Sequence, residues 1–129
     1  MGVMKKLVSA ICANIAHLFA SLGYSWAGLK ACFRDETAFR QELCCGVVHF
    51  ALLFSLPLTT GVRVYLTILY VMILTVELLN TAVEAVVDCT VQEKRPLAKK
   101  AKDCASAAVF CIVTTFVISW MVVLVKSFR

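Results

Sequence analysis

Hydrophobic positions along the chain fall into four blocks, each with helical spacing. In the first block Leu7, Ile11, Ile15, Leu18, Leu22, Trp26, Leu29 and Phe33 recur at steps of three or four, the period of a single helix face. Lys5, Lys6, Ser9, Asn14, His17, Ser21, Ser25, Lys30 and Arg34 share the remaining surface. Such a segment is too polar to cross a bilayer. Residues 1–35 are therefore expected to form an amphipathic surface helix in the cytoplasmic interface of a membrane. Gly23 and Gly28 are expected to interrupt it. Arg34, Asp35, Glu36 and Thr37 mark a break, with Thr37 available to cap the next helix.

Residues 43–62 contain no Asp, Glu, Lys or Arg, close to the ~20 residues that a bilayer requires. Pro57 and Gly61 stand near the far end of this run, so the first span is placed at 41–57 and a short turn holds Thr59, Thr60, Gly61 and Arg63. From Val64 the helical pattern continues unbroken to Asp88, giving a second span at 64–88. A polar loop from Cys89 to about Lys99 follows, with Glu93, Lys94, Arg95 and Pro96. The last helix is placed at 99–126, and its residues 105–125 are uncharged. The expected fold is all-α: a single integral membrane domain over residues 1–129, with three transmembrane helices behind the surface helix.

Composition strengthens this picture. The chain has 129 residues, 61% of them hydrophobic and only 16% charged. A soluble domain is roughly half apolar and about a quarter charged. A soluble enzyme, a disordered chain and a nucleic-acid-binding domain are therefore poor fits. The net charge of +5 comes from 13 basic and 8 acidic residues, and the position of the basic ones matters most. Lys5, Lys6, Lys30, Arg34 and Arg40 precede the first span, and Lys94, Arg95, Lys99, Lys100 and Lys102 flank the second loop. The first loop has only Arg63, and the tail has Lys126 and Arg129. Basic residues collect on the cytoplasmic side, so the N-terminus and second loop are expected inside and the C-terminus outside. Cys12, Cys32, Cys44, Cys45, Cys89, Cys104 and Cys111 are odd in number and contain no CxxC. Neither a disulfide framework nor a zinc site is expected. No compact apolar run with a small-residue cleavage site follows Lys5 and Lys6, so a cleaved signal peptide is not expected.

Candidate chemistry is concentrated at one end of the second span. Glu77, Asn80, Glu84 and Asp88 are separated by three, four and four residues, which places them in one stripe on a helix. Carboxylates at membrane depth are costly and face a bundle interior or a polar cavity. Lys99, Lys100, Lys102, Asp103 and Ser106 begin the last helix at the same cytoplasmic edge, with Lys102 and Ser106 sharing a face. The start of that helix presents free amide groups and a positive dipole end, favourable for phosphate. Carboxylates suit Mg²⁺, which keeps its waters and bridges substrate phosphates. Lysines can neutralise a transferring phosphoryl group. There is no GxxxxGK[ST] and no GxGxxG, so ATP would be held by a site unlike the P-loop. His49 lies inside the first span and is read as a hydrogen-bonded bundle residue.

The stretch from Glu77 through Asn80, Thr81, Ala82, Val83, Glu84 and Val87 to Asp88 resembles the signature of the prokaryotic diacylglycerol kinases. Pro96 to Asp103, followed by Ser106, Ala107, Ala108 and Val109, is similar to their second motif. Gly23, Tyr24, Ser25 and Trp26, and then Glu36, Phe39, Arg40, Gln41 and Glu42, also fit. The resemblance runs from about Ser21 to Phe128. It implies a homotrimeric lipid kinase of the bacterial inner membrane, with active sites between subunits. The reaction implied is transfer of the γ-phosphoryl group of MgATP to a lipid hydroxyl, with diacylglycerol converted to phosphatidic acid. In that reading Glu77 is the general base, and Glu36 and Glu84 hold the Mg²⁺ that bridges the ATP phosphates. Asn80, Lys102 and Asp103 complete the polar site, with Tyr24 and Ser106 as further contacts. His17 departs from the family pattern, which has an Arg there in contact with nucleotide or phosphate. Undecaprenol is the alternative acceptor within the same superfamily. A different class of reading is a small oligomeric channel or assembly protein, whose acidic stripe would line an ion path.

Overall fold

Four α-helices account for nearly all of the described chain. The computed structural model describes residues 2–90 and 95–127, with side chains at 6, 10, 11 and from 14 onward. The side chains of Lys5, Leu7, Ser9 and Cys12 lie outside the described residues, as do Glu93, Lys94 and Arg129. Helices α1 (Gly2–Asp35), α2 (Thr37–Ser55), α3 (Thr60–Thr90) and α4 (Pro96–Ser127) follow in order, and no strand occurs among the described residues. The chain divides into two compact units, residues 1–35 and 36–129.

The first unit is α1 alone. Its 34 residues form a rod of roughly 50 Å at 1.5 Å per residue. The expected interruption at Gly23 and Gly28 does not occur, because the helix runs through both. A lone glycine costs a helix about 1 kcal/mol, and the Ala, Leu and Lys residues around these two sustain the ladder. Ser25 Oγ donates to the Ser21 carbonyl at 3.0 Å. The helix ends at Asp35, whose carboxylate takes two hydrogen bonds from Arg34, at 2.8 and 2.9 Å.

In the second unit α3 packs against both α2 and α4. The expected break before α2 is present, but Thr37 is not its cap. Glu36 holds the cap position in an extended conformation, and Thr37 is the first helical residue. Arg40 Nη2 donates to Thr37 Oγ1 at 2.9 Å. Helix α2 stops at Ser55, because the residue before a proline is disfavoured in α geometry. Leu56, which precedes Pro57, is accordingly extended. The expected turn around Thr59 to Arg63 is mostly the first turn of α3. Thr59 Oγ1 accepts from the Val62 amide at 3.5 Å, so the helix starts four residues before the expected Val64. Arg63 Nη2 reaches back to the Leu56 carbonyl at 3.3 Å. Helix α4 begins at Pro96 rather than Lys99, since proline is preorganised for the first helical position and has no amide to leave unsatisfied.

The buried faces are stripes that follow the helical repeat. On α2 these positions are Phe39, Gly46, His49 and Leu53, and on α3 Leu66, Leu69, Tyr70, Ile73 and Glu77. Leu53, Leu66 and Trp120 form a core with Leu56, Leu58, Val62, Phe116, Val123 and Leu124 packed around it. A second layer is aromatic. The His49 ring stacks on Tyr70 at 5.1 Å and lies near Phe50, Phe116 and Trp120. Trp120 Nε1 donates to His49 Nδ1 at 3.1 Å, and Tyr65 Oη pairs with Ser119 Oγ at 3.1 Å. Helices α3 and α4 are long and apolar enough to cross a membrane. The uncharged part of α2, residues 43–55, is about 20 Å long, short of the ~30 Å hydrocarbon core.

Candidate active site

Continuing the α3 stripe beyond Tyr70 and Ile73 brings it to Glu77, then Asn80 and Glu84. The helix that supplies apolar packing in its first half therefore supplies carboxylates in its second, on the same face. Glu77 is only 4% exposed. Its charge interacts with those of Glu36, at the cap of α2, and Glu84, two turns further along α3. Glu42 is half-buried, interacts with Glu77 in the same way, and has one carboxylate oxygen, Oε2, buried without a hydrogen-bond partner. Asn80 Nδ2 donates to Glu84 Oε1 at 3.4 Å, while Asn80 Oδ1 is buried with no donor. Three carboxylates, from the cap of α2, from α2 and from α3, thus gather around the buried Glu77.

The last turns of α3 meet the first turns of α4 at the polar end. Lys102 Nζ pairs with Asp88 Oδ1 at 2.6 Å and also interacts with the charge of Glu84. On the outer side of α4, Lys99 pairs with Asp103. Of the residues expected from sequence, the structure brings Glu36, Glu77, Asn80, Glu84 and Lys102 to one region. Asp103 is turned to Lys99, and Ser106 is exposed further along α4. Tyr24 stands on α1, in the other unit.

Two residues of this region were not among the expected site residues. Asp88 stood at the end of the stripe without a role, and the structure makes it the partner of Lys102. In the sequence Glu42 enters only as part of a motif. A signal for it exists, because Phe39, Glu42, Gly46, His49 and Leu53 follow steps of three, four, three and four. A carboxylate on the apolar face of a helix is expensive and marks function.

Among the described residues no three His, Cys, Asp or Glu side chains converge tightly enough to hold a metal ion by themselves. The donor set nevertheless fits Mg²⁺. The donors are all oxygen, with spare lone pairs on Glu42 Oε2 and Asn80 Oδ1. Mg²⁺ is commonly bound through one or two carboxylates, with waters and substrate phosphates completing the shell.

A sequence profile described as prokaryotic diacylglycerol kinase matches residues 23–124. The chain belongs to this family. It is 40% identical to the diacylglycerol kinase of Pseudomonas aeruginosa over 86% of this chain and 90% of that one. To that of Escherichia coli strain K12 it is 37% identical, over 89% and 94% of the two chains. To that of Haemophilus influenzae it is 40% identical, over 83% and 91%. The stretch matched by the profile contains Tyr24, Glu36, Asn80, Lys102 and every other candidate residue, and His17 precedes it.

Proposed function

We propose that this chain is a diacylglycerol kinase that transfers the γ-phosphoryl group of ATP to the free hydroxyl of diacylglycerol, giving phosphatidic acid and ADP. The observation that carries the reading is Glu77, buried in an apolar bundle yet facing Glu36, Glu42 and Glu84. Glu77 accepts the proton of the lipid hydroxyl as its oxygen attacks the γ-phosphorus and the bond to the ADP oxygen breaks. Its depth suits an acceptor that stays in the membrane. Glu36 and Glu84 would hold Mg²⁺, which would supply positive charge against the ATP phosphates. Asn80 orients Glu84 through its side-chain amide. Lys102 leaves Asp88 to meet phosphate, with Asp103 and Ser106 as outer contacts.

The same reading gives the protein three membrane segments, with α2 as the third. The 19 residues of α2 reach about 28 Å at 1.5 Å each, provided that Arg40 and Glu42 turn toward the site. It also gives a homotrimer in the bacterial inner membrane, with the N-terminus and the α3–α4 loop in the cytoplasm and α1 as an amphipathic surface helix. Support comes from the family and from the basic residues of the second loop. The deciding experiment supplies labelled ATP with diacylglycerol and undecaprenol in parallel mixed micelles, beside Glu77→Gln. Label on diacylglycerol that is absent in the variant is expected. Label mainly on undecaprenol would replace the acceptor, and label on neither would overturn the kinase reading.

A further inference from the structure

We propose that Tyr70, seated on Gly46, is a positioning residue of the carboxylate site: it fixes the height of α2 against α3 and so places Glu42 and Glu36 against Glu77. Three observations converge. Tyr70 is buried, and its hydroxyl donates to the backbone carbonyl of Glu42 at 3.3 Å. That carbonyl belongs to one of the residues whose charge faces Glu77. Gly46, one turn further along α2, makes room for the ring. A Cβ at this position would overlap the Tyr70 hydroxyl and lie 2.6 Å from Cζ. Contact that close leaves no slack, so any side chain at Gly46 forces the ring or the helix to move.

The ring itself is held. It stacks on His49 at 5.1 Å with 24° between the planes, and Phe50 meets its edge at 5.7 Å. His49 is in turn fixed by the Trp120 N–H, from α4. A chain of contacts therefore runs from α4 through His49 to Tyr70 and ends on the Glu42 carbonyl. The start of α2 lacks a side-chain cap, so this clasp anchors α2 close to the site. Tyr70 lies seven residues before Glu77 on the same face of α3, about 10 Å away. Glu36 and Glu42 come from α2 whereas Glu77 and Glu84 come from α3. Their separation is therefore set by how the two helices slide on one another. A misplacement of about 1 Å can cost roughly 100-fold in rate.

This inference rests on the kinase reading. The test measures kcat and the KM for diacylglycerol in Gly46→Ala, Tyr70→Val and the double variant, with oligomer size and thermal unfolding beside them. Gly46→Ala is expected to lower kcat by at least about tenfold, with the lipid KM within about twofold and assembly unchanged. In the Tyr70→Val background, where the ring is gone, the same alanine is expected to cost less than about twofold, the non-additivity of a direct contact. Gly46→Ala with wild-type kcat would overturn the proposal. So would an equal loss in both backgrounds, or a loss that follows disassembly. A wild-type protein that phosphorylates neither lipid would instead sink the kinase reading, and the clasp with it.

Discussion

Burying Glu77 among three other carboxylates is tolerable only if something positive completes the group, and the residues of the site divide by how strongly they are held elsewhere. Lys102 pairs with Asp88 while its side chain is 35% exposed and that of Asp88 67%. Water competes for a pair this open, so it can yield Lys102 to a phosphate. Asp88→Asn is accordingly expected to change the ATP KM by less than about fivefold. Lys102→Met removes a charge-assisted bond to phosphate and is expected to raise the KM more than tenfold, since such bonds contribute about 1.5–3 kcal/mol. Equal effects of the two substitutions, measured by steady-state kinetics, would remove Lys102 from the phosphate. Glu84→Gln is expected to raise the Mg²⁺ concentration giving half-maximal rate by about tenfold or more, the range seen on disturbing metal ligation. An unchanged Mg²⁺ titration would assign Glu84 another role.

Between the helices, the aromatic layer holds the bundle where the hydrophobic effect cannot, because lipid tails are as apolar as Leu. The Trp120 N–H needs an unprotonated Nδ1, so the proton of neutral His49 is on Nε2, which is buried without a partner. Trp120→Phe would strand His49 entirely. A buried polar group left unsatisfied costs about 1–3 kcal/mol. The variant is expected to unfold at a temperature several degrees lower, and an unchanged midpoint in detergent would show that His49 finds another partner. This layer also shows where sequence reading stops. The stripe from Glu77 to Glu84 and the break at Glu36 were legible because period and charge coincide there. Glu42 was legible in principle, on the buried stripe of α2, but period alone cannot say which helix a stripe faces. The Tyr70–Gly46 contact was not legible, since close approach of two helices depends on register. The early starts of α3 at Thr60 and of α4 at Pro96, by four and three residues, are effects of the local capping residues Thr59 and Pro96. Continuity of α1 through Gly23 and Gly28 is a balance of about 1 kcal/mol per glycine.

At the scale of the whole chain, two arguments bear on orientation. One is the count of basic residues: Lys99, Lys100 and Lys102 open α4, whereas Arg63 alone marks the α2–α3 turn. The other is chemistry: Glu84, Asp88 and Lys102 lie together at the α3–α4 end, and ATP is a cytoplasmic solute. Both favour the proposed cytoplasmic orientation of that end, and Lys102 enters each of them. Moving positive charge across the first loop therefore tests more than topology. A reporter fused after Arg129 is expected to be active outside the cell membrane, and one inserted in the second loop only inside. Adding three lysines beside Arg63 opposes the positive-inside bias and is expected to yield a fraction of inverted chains. Those chains would carry a complete site facing away from ATP, so kinase activity in sealed vesicles should fall in proportion to the inverted fraction and return when the vesicles are opened to ATP. Activity that stays constant while the reporters invert would place the nucleotide at the other end of the bundle and remove Lys102 and Asp88 from the site.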